Sequence, residues 1–81
     1  MQDIETRVQS VFRKTFRNDS LMIKREMTAV DIDGWDSLTH IHLMVALEKE
    51  FGVKIKSTDA IGLKNIGEMI DLVKSKIGIP R

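Results

Sequence analysis

Residues 34–52 read GWDSLTHIHLMVALEKEFG. The stretch predicts a helix over about 37–51, with Asp36 as its cap and Gly52 as its stop. Leu38, Ile41 and Val45, together with the series Leu43, Leu47 and Phe51, form a wide apolar arc, which marks this as the central helix. Ser37 stands where an acidic loop turns into that helix, and its role is the question the rest of the chain must answer.

Upstream, Ile4, Val8, Val11, Phe12 and Phe16 recur at helical intervals behind a cap at Asp3. The rhythm breaks between Arg17 and Trp35. There RNDS is polar, and Leu21, Ile23, Met27, Val30 and Ile32 are scattered among charges, so a long loop pinned over the core by apolar side chains is expected. Downstream, Val53 and Ile55 alternate with lysines in too short a run for a strand. Ser57, Thr58 and Asp59 begin a short helical turn through Leu63. NIGE sets Asn65 three residues before Glu68, a capping-box pairing in which Asn replaces Ser or Thr. The helix that follows buries Ile66, Met69, Ile70, Val73 and Ile77, and Gly78 with Pro80 ends it. The expected fold is all-α, a small four-helix bundle with three longer helices, a short third helix and a long loop between helices one and two. Residues 1–81 read as a single domain.

A chain of 81 residues buries only a little over about 60% of the surface its unfolded form exposes. Its 42% hydrophobic and 31% charged content is nonetheless that of a globular domain rather than a disordered one. Cysteine is absent, which removes disulfides and thiolate metal sites and fits a reducing, cytoplasmic setting. The opening MQDIETRVQSVFRK places charges in every turn, unlike a secretory signal, and no run approaches a membrane span. A soluble, unprocessed and monomeric chain is expected. Thirteen basic against twelve acidic residues leave a net charge of +1, which excludes any general electrostatic case for nucleic acid or anionic membrane. Charge is instead local, with Asp31, Asp33 and Asp36 ahead of the central helix and Arg7, Arg13, Lys14 and Arg17 on the first.

Three readings of Ser37 are open on the residues alone. It can be a helix-start residue, although Asp36 already takes the capping position. It can be a nucleophile beside His40 or His42. A helical Ser-x-x-His pair, however, lacks a strained turn, a third residue to orient the imidazole and a glycine-rich oxyanion hole. The two histidines also lack further ligands at metal spacing, so a solvated or half-buried helix face is expected for them and no metal. Finally, Ser37 can be a handle. A hydroxyl in the first turn projects beside free N–H groups and the positive end of the helix dipole, where an attached phosphate is favoured.

The run GWDSLTHIHLMVALEKEFGVKI resembles the acyl carrier protein signature, in which Asp-Ser-Leu opens a helix that closes on an acidic segment, Phe and a short hydrophobic loop. The resemblance spans essentially the whole chain, including TDAIGL and NIGEMIDLVKSKI. It implies a carrier and not a catalyst: Ser37 would receive 4′-phosphopantetheine from a phosphopantetheinyl transferase, with Asp36 and Leu38 helping to present it. The arm would hold acyl groups as thioesters for loading and acyl-using enzymes. Fatty-acid carriers of this kind look strongly acidic along the second helix. Here that face carries Thr39, His40, His42 and Lys49, so a specialised carrier with partners matched to a nearly neutral face is expected.

Met44, at the edge of the apolar arc, is expected to contact partners, the cargo or the core. Trp35 either covers the attachment site or anchors the loop. Ile55, Ala60, Leu63 and Ile66 either line a cleft for a short acyl chain or simply pack. Two other functions stay open: an aminoacyl or aryl carrier of a peptide-type assembly pathway, and an unmodified helical interaction domain of the same fold.

Overall fold

The Asp3 carboxylate accepts the Thr6 amide at 2.7 Å, and this cap starts α1 (Ile4–Phe16). The computed structural model describes residues 3–78. Three further helices follow, α2 (Ser37–Phe51), α3 (Ser57–Ile61) and α4 (Ile66–Lys76), with a 3-10 turn at Ala29–Asp31 between α1 and α2. Among the described residues there is no strand, as the sequence predicts. The helix bounds follow local chemistry. Asn65 accepts the Glu68 amide at 2.8 Å to open α4. The return bond of the capping box goes one residue further back than expected, with Lys64 donating its amide to Glu68 at 2.9 Å. Gly52 ends α2 in the left-handed region at φ 65°, and its amide donates to the Glu48 carbonyl.

Two expected ends shift. α3 stops at Ile61, short of Leu63, because Gly62 follows and only five residues hold helical geometry. α4 stops at Lys76 with Ile77 as its cap residue, and the expected stop at Pro80 lies outside the described residues.

α1 packs along both α2 and α4. Val8 and Phe12 from α1, Leu43 and Leu47 from α2, and Ile66, Met69, Ile70 and Val73 from α4 are fully or almost fully buried. At about 25 cal/mol per Å² of apolar surface removed from water, such side chains dominate the stability of so small a domain. α2 departs from the single wide arc. Leu43 and Leu47 face the core, whereas Leu38, Ile41 and Val45 remain 63%, 58% and 42% exposed. The helix therefore has two apolar rows: 43–47–51, at intervals of four, faces inward, and 38–41–45, at intervals of three and four, faces outward.

The long loop is laid over the open side of the bundle. Its Ile32 is buried, and Leu21, Ile23 and Met27 pack against the core. Val30, expected among these pins, is instead 92% exposed because the 3-10 turn carries it outward. Loop backbone groups find partners on the helices, as buried peptide groups must. The Ile23 amide donates to the Gln9 side chain at 3.0 Å, and Arg13 donates to the Leu21 carbonyl at 2.7 Å. The free amides at the start of α4, Ile66 and Gly67, donate to the carbonyls of Met27 and Arg25 at 3.0 and 2.9 Å. This path delivers Trp35, Asp36 and Ser37 to the start of α2.

Candidate functional site

Ser37 is the first residue of α2 and is exposed. Its presentation depends on Asp36, whose carboxylate accepts both the Thr39 amide and the Thr39 hydroxyl at 2.9 Å. The amide bond first, then the hydroxyl bond, holds the Asp36 carboxyl below its ordinary value. With the cap supplied by Asp36, the Ser37 hydroxyl is left at the positive end of the helix and is not needed to close it.

Trp35 packs against α1 from the loop and also lies beside Ser37. Its ring meets Phe12 edge-on with centroids 5.5 Å apart and lies 6.0 Å from Phe16. Its indole N–H donates to His40 Nδ1 at 3.1 Å. On the other side of the same imidazole, Nε2 lies 3.0 Å from the Ala60 carbonyl of α3. An indole N–H only donates and a carbonyl only accepts, so His40 is the neutral Nε2–H tautomer in this arrangement.

Beside Ser37 opens a cavity of about 720 Å³ between α2 and α3. Its lining is chiefly apolar and includes Ile41, Val45, Ile55, Ala60, Ile61 and Leu63, with Ser37 and His40 on its rim of polar residues. Of the four residues expected in a cleft, Ile55, Ala60 and Leu63 line it. Ile66 does not; it is fully buried beneath, in the core. Met44, expected at an exposed edge, is only 6% exposed. It reaches the cavity from its floor, because the helix turn that aims Leu43 and Leu47 inward takes Met44 most of the way with them. Ile41, Val45 and Ile61 were not anticipated as site residues. The separate 38–41–45 row was the sequence signal for Ile41 and Val45, whereas Ile61 of the short α3 belongs to no such row.

The charges of α2 divide in a way that residue counting misses. Glu48 accepts the Ile55 amide at 2.7 Å, and Glu50 accepts from Arg7 at 3.0 Å. Asp36 is engaged by Thr39. The acids are thus spent on internal bonds, and the outward face displays His42 and Lys49, both exposed, around Leu38, Ile41 and Val45. Among the described residues no helix is long and apolar enough to cross a membrane.

The family model described as "Phosphopantetheine attachment site" matches residues 8–73. The chain is 27% identical over 77 residues to an acyl carrier protein of Thermotoga maritima, covering 95% of each. The solution structure of a holo acyl carrier protein from Geobacter metallireducens superposes with a TM-score of 0.85 at 38% identity, covering 96% of this chain and 88% of that one. A solved chain from Mycobacterium tuberculosis superposes with a TM-score of 0.81 at 29% identity, covering 90% of this chain and 97% of that one.

Proposed function

The chain belongs to the phosphopantetheine attachment-site family, the acyl carrier proteins among it, and from that premise we propose that Ser37 is the residue that bears the 4′-phosphopantetheine group. The observation that carries this is the placement of an exposed hydroxyl in the first turn of α2, capped by another residue and opening beside an apolar cavity. The chemistry of the site suits the group: the first turn favours a phosphate anion, and a phosphodiester needs an accessible oxygen. When bound, the group supplies a thiol on a flexible arm that holds an acyl chain as a thioester.

The protein's own residues have simpler tasks. Asp36 and Thr39 fix the start of the helix, so that Ser37 is met in one orientation. Leu38, Ile41 and Val45 supply apolar contact area to a partner, and Ile55, Ala60 and Leu63 offer an apolar wall to a short acyl chain. His40 is occupied on both nitrogens, which leaves it poorly suited to act as a base for Ser37 and supports a carrier over a hydrolase.

The reading extends to a specialised pathway. A partner that docks by a basic patch on acidic carriers gains little from a face carrying His42 and Lys49, so enzymes with an apolar, neutral or acidic contact patch suit it better. We read the chain as a monomeric cytoplasmic carrier of acyl groups, served by a phosphopantetheinyl transferase and by acyl-loading and acyl-using enzymes.

Intact-mass measurement after incubation with coenzyme A and a broad-specificity phosphopantetheinyl transferase tests the attachment. One added phosphopantetheine is expected on the unmutated chain and none on Ser37→Ala. An unchanged mass, or an equal gain on both chains, sinks the assignment.

A further inference from the structure

The His40 side chain joins three parts of the site. It stands one turn along α2 from Ser37, its Nδ1 receives the indole N–H of Trp35 from the loop, and its Nε2 bonds to the Ala60 carbonyl of α3. The imidazole and indole planes differ by only 19°, with centroids 6.0 Å apart. That near-parallel setting suits a lone pair that lies in the imidazole plane. Trp35 itself is held from behind by Phe12 and Phe16, and it is the second residue before Ser37. α3 contains no buried residue, so its seating depends on few contacts: the His40 bond, the Lys76–Asp59 ion pair at 3.1 Å and the packing of Ala60 against the core.

We propose that His40 is a positioning residue for Ser37: as a neutral Nε2–H imidazole it ties Trp35 and α3 to the first turn of α2, and protonation at Nδ1 cuts the Trp35 side of that tie. The balance of donors dictates the outcome. A proton on Nδ1 sets one N–H against another, so the Trp35 bond is lost and the two dipoles repel, whereas Nε2–H still donates to Ala60. The segment Trp35–Ser37 is then uncoupled from α3, and Ser37 is presented less uniquely. Three of the charged groups on the surrounding elements have partners of their own. Asp36 is bonded by Thr39, Glu48 by Ile55, and Asp59 by Lys76. Lys64 lines the same cavity from the α3–α4 connection, and Asp33 lies in the loop before Trp35. α1 presents Phe12 and Phe16 to Trp35, and α4 presents Met69, with Asn65 at its start, to the cavity. Lys76 and its bond hold the Asp59 carboxyl below its ordinary value, so that ion pair persists where imidazoles titrate.

Nuclear magnetic resonance on the unmodified chain tests this directly, since Trp35 is the only tryptophan. Two-bond nitrogen–proton correlations should show His40 as the Nε2–H tautomer. The Trp35 indole N–H signal should then move with the His40 titration, keep moving in His42→Gln, and stand still in His40→Gln, whose amide can both accept and donate. An Nδ1–H tautomer, an indole signal indifferent to His40 protonation, or a titration that survives in His40→Gln overturns the proposal. If His40→Gln does not fold, the two wild-type measurements decide alone. The consequence for Ser37 rests on the attachment reading above. Transferase loading of the wild-type chain relative to His40→Gln should fall by about two- to tenfold as the Trp35 indole signal moves to its acid limit, the worth of one hydrogen bond. A constant ratio overturns the positioning role. Failure of both chains to gain mass overturns the attachment reading instead, and the imidazole measurements still judge His40.

Discussion

Arg7 of α1 closes over the last turn of α2, donating to the Glu50 side chain at 3.0 Å and to the Glu50 backbone carbonyl at 2.8 Å. The same guanidinium lies 4.5 Å from the centre of the Phe51 ring. One planar fork thus satisfies a carbonyl at the helix end, pairs a carboxylate and covers an aromatic face. Both partners are about one-third exposed, so solvent screens the ion pair. Arg7→Ala should lower stability by about 1–2 kcal/mol, and Arg7→Lys should recover less than half of that, because an ammonium cannot fork. Urea denaturation of the three chains measures it; full recovery by Lys would show the contact to be simple charge pairing.

Neighbouring positions of α2 should answer differently to the same truncation. Leu43→Ala empties a fully buried site and should cost about 2–5 kcal/mol, a large share of the stability of a domain this size. Ile41→Ala, on the outward row, should change stability by less than about 1 kcal/mol while slowing transferase loading. Paired melts and loading rates would settle the matter, and a similar loss of stability in both variants would mean that the outward row is covered.

Acid should destabilise the fold through two caps and one ion pair. Asp3 is lowered chiefly by the Thr6 amide, Asp36 by the Thr39 amide and Asp59 by the bond from Lys76, each below the reference value of 3.8. Carboxyls lowered in the folded state add stability above their unfolded value and lose it as pH falls through the folded one. These three carboxylates therefore contribute fully at neutral pH, and their contribution drains away below about pH 4. Asp36→Asn keeps a capping acceptor without the charge, so its urea midpoint should fall less steeply on acidification. Identical slopes would remove Asp36 from the account.

Gly67 marks a close approach of the loop to α4. A Cβ placed there would sit 3.1 Å from the Arg25 carbonyl oxygen and 3.2 Å from Arg25 Cβ, and the Gly67 amide already donates to that oxygen at 2.9 Å. Alanine ordinarily gains about 1 kcal/mol over glycine inside a helix. Here the backbone contact should outweigh it, with Gly67→Ala less stable by about 1–2 kcal/mol and faster amide exchange at Ile66 and Gly67. A stabilised variant would show that the loop yields freely.

Local chemistry made much of this protein legible from the chain alone. Asp3, Asp36 and Asn65 cap the helices they were expected to cap, because an N-cap bond reaches only three residues and depends on nothing distant. Gly52 ends α2 for the same reason. Asp-Ser-Leu at a helix start marked Ser37 as the residue to watch, and the start of α2 is set by its immediate neighbours.

What the chain could not disclose by itself depended on contacts between distant segments. Leu38, Ile41 and Val45 are as apolar as Leu43 and Leu47, and only the placement of α1 and α4 decides which row is buried. Met44 follows the inner row for that reason, and Val30 is turned outward by a loop whose path is fixed by amides at the start of α4. The acids of α2 read as surface charge until Ile55 and Arg7 are seen to claim Glu48 and Glu50. His40 likewise acquires its single tautomer only when Trp35 and Ala60 meet it, one a pure donor and the other a pure acceptor. Secondary structure is written in neighbours along the chain; burial, charge and proton position are written in neighbours across it.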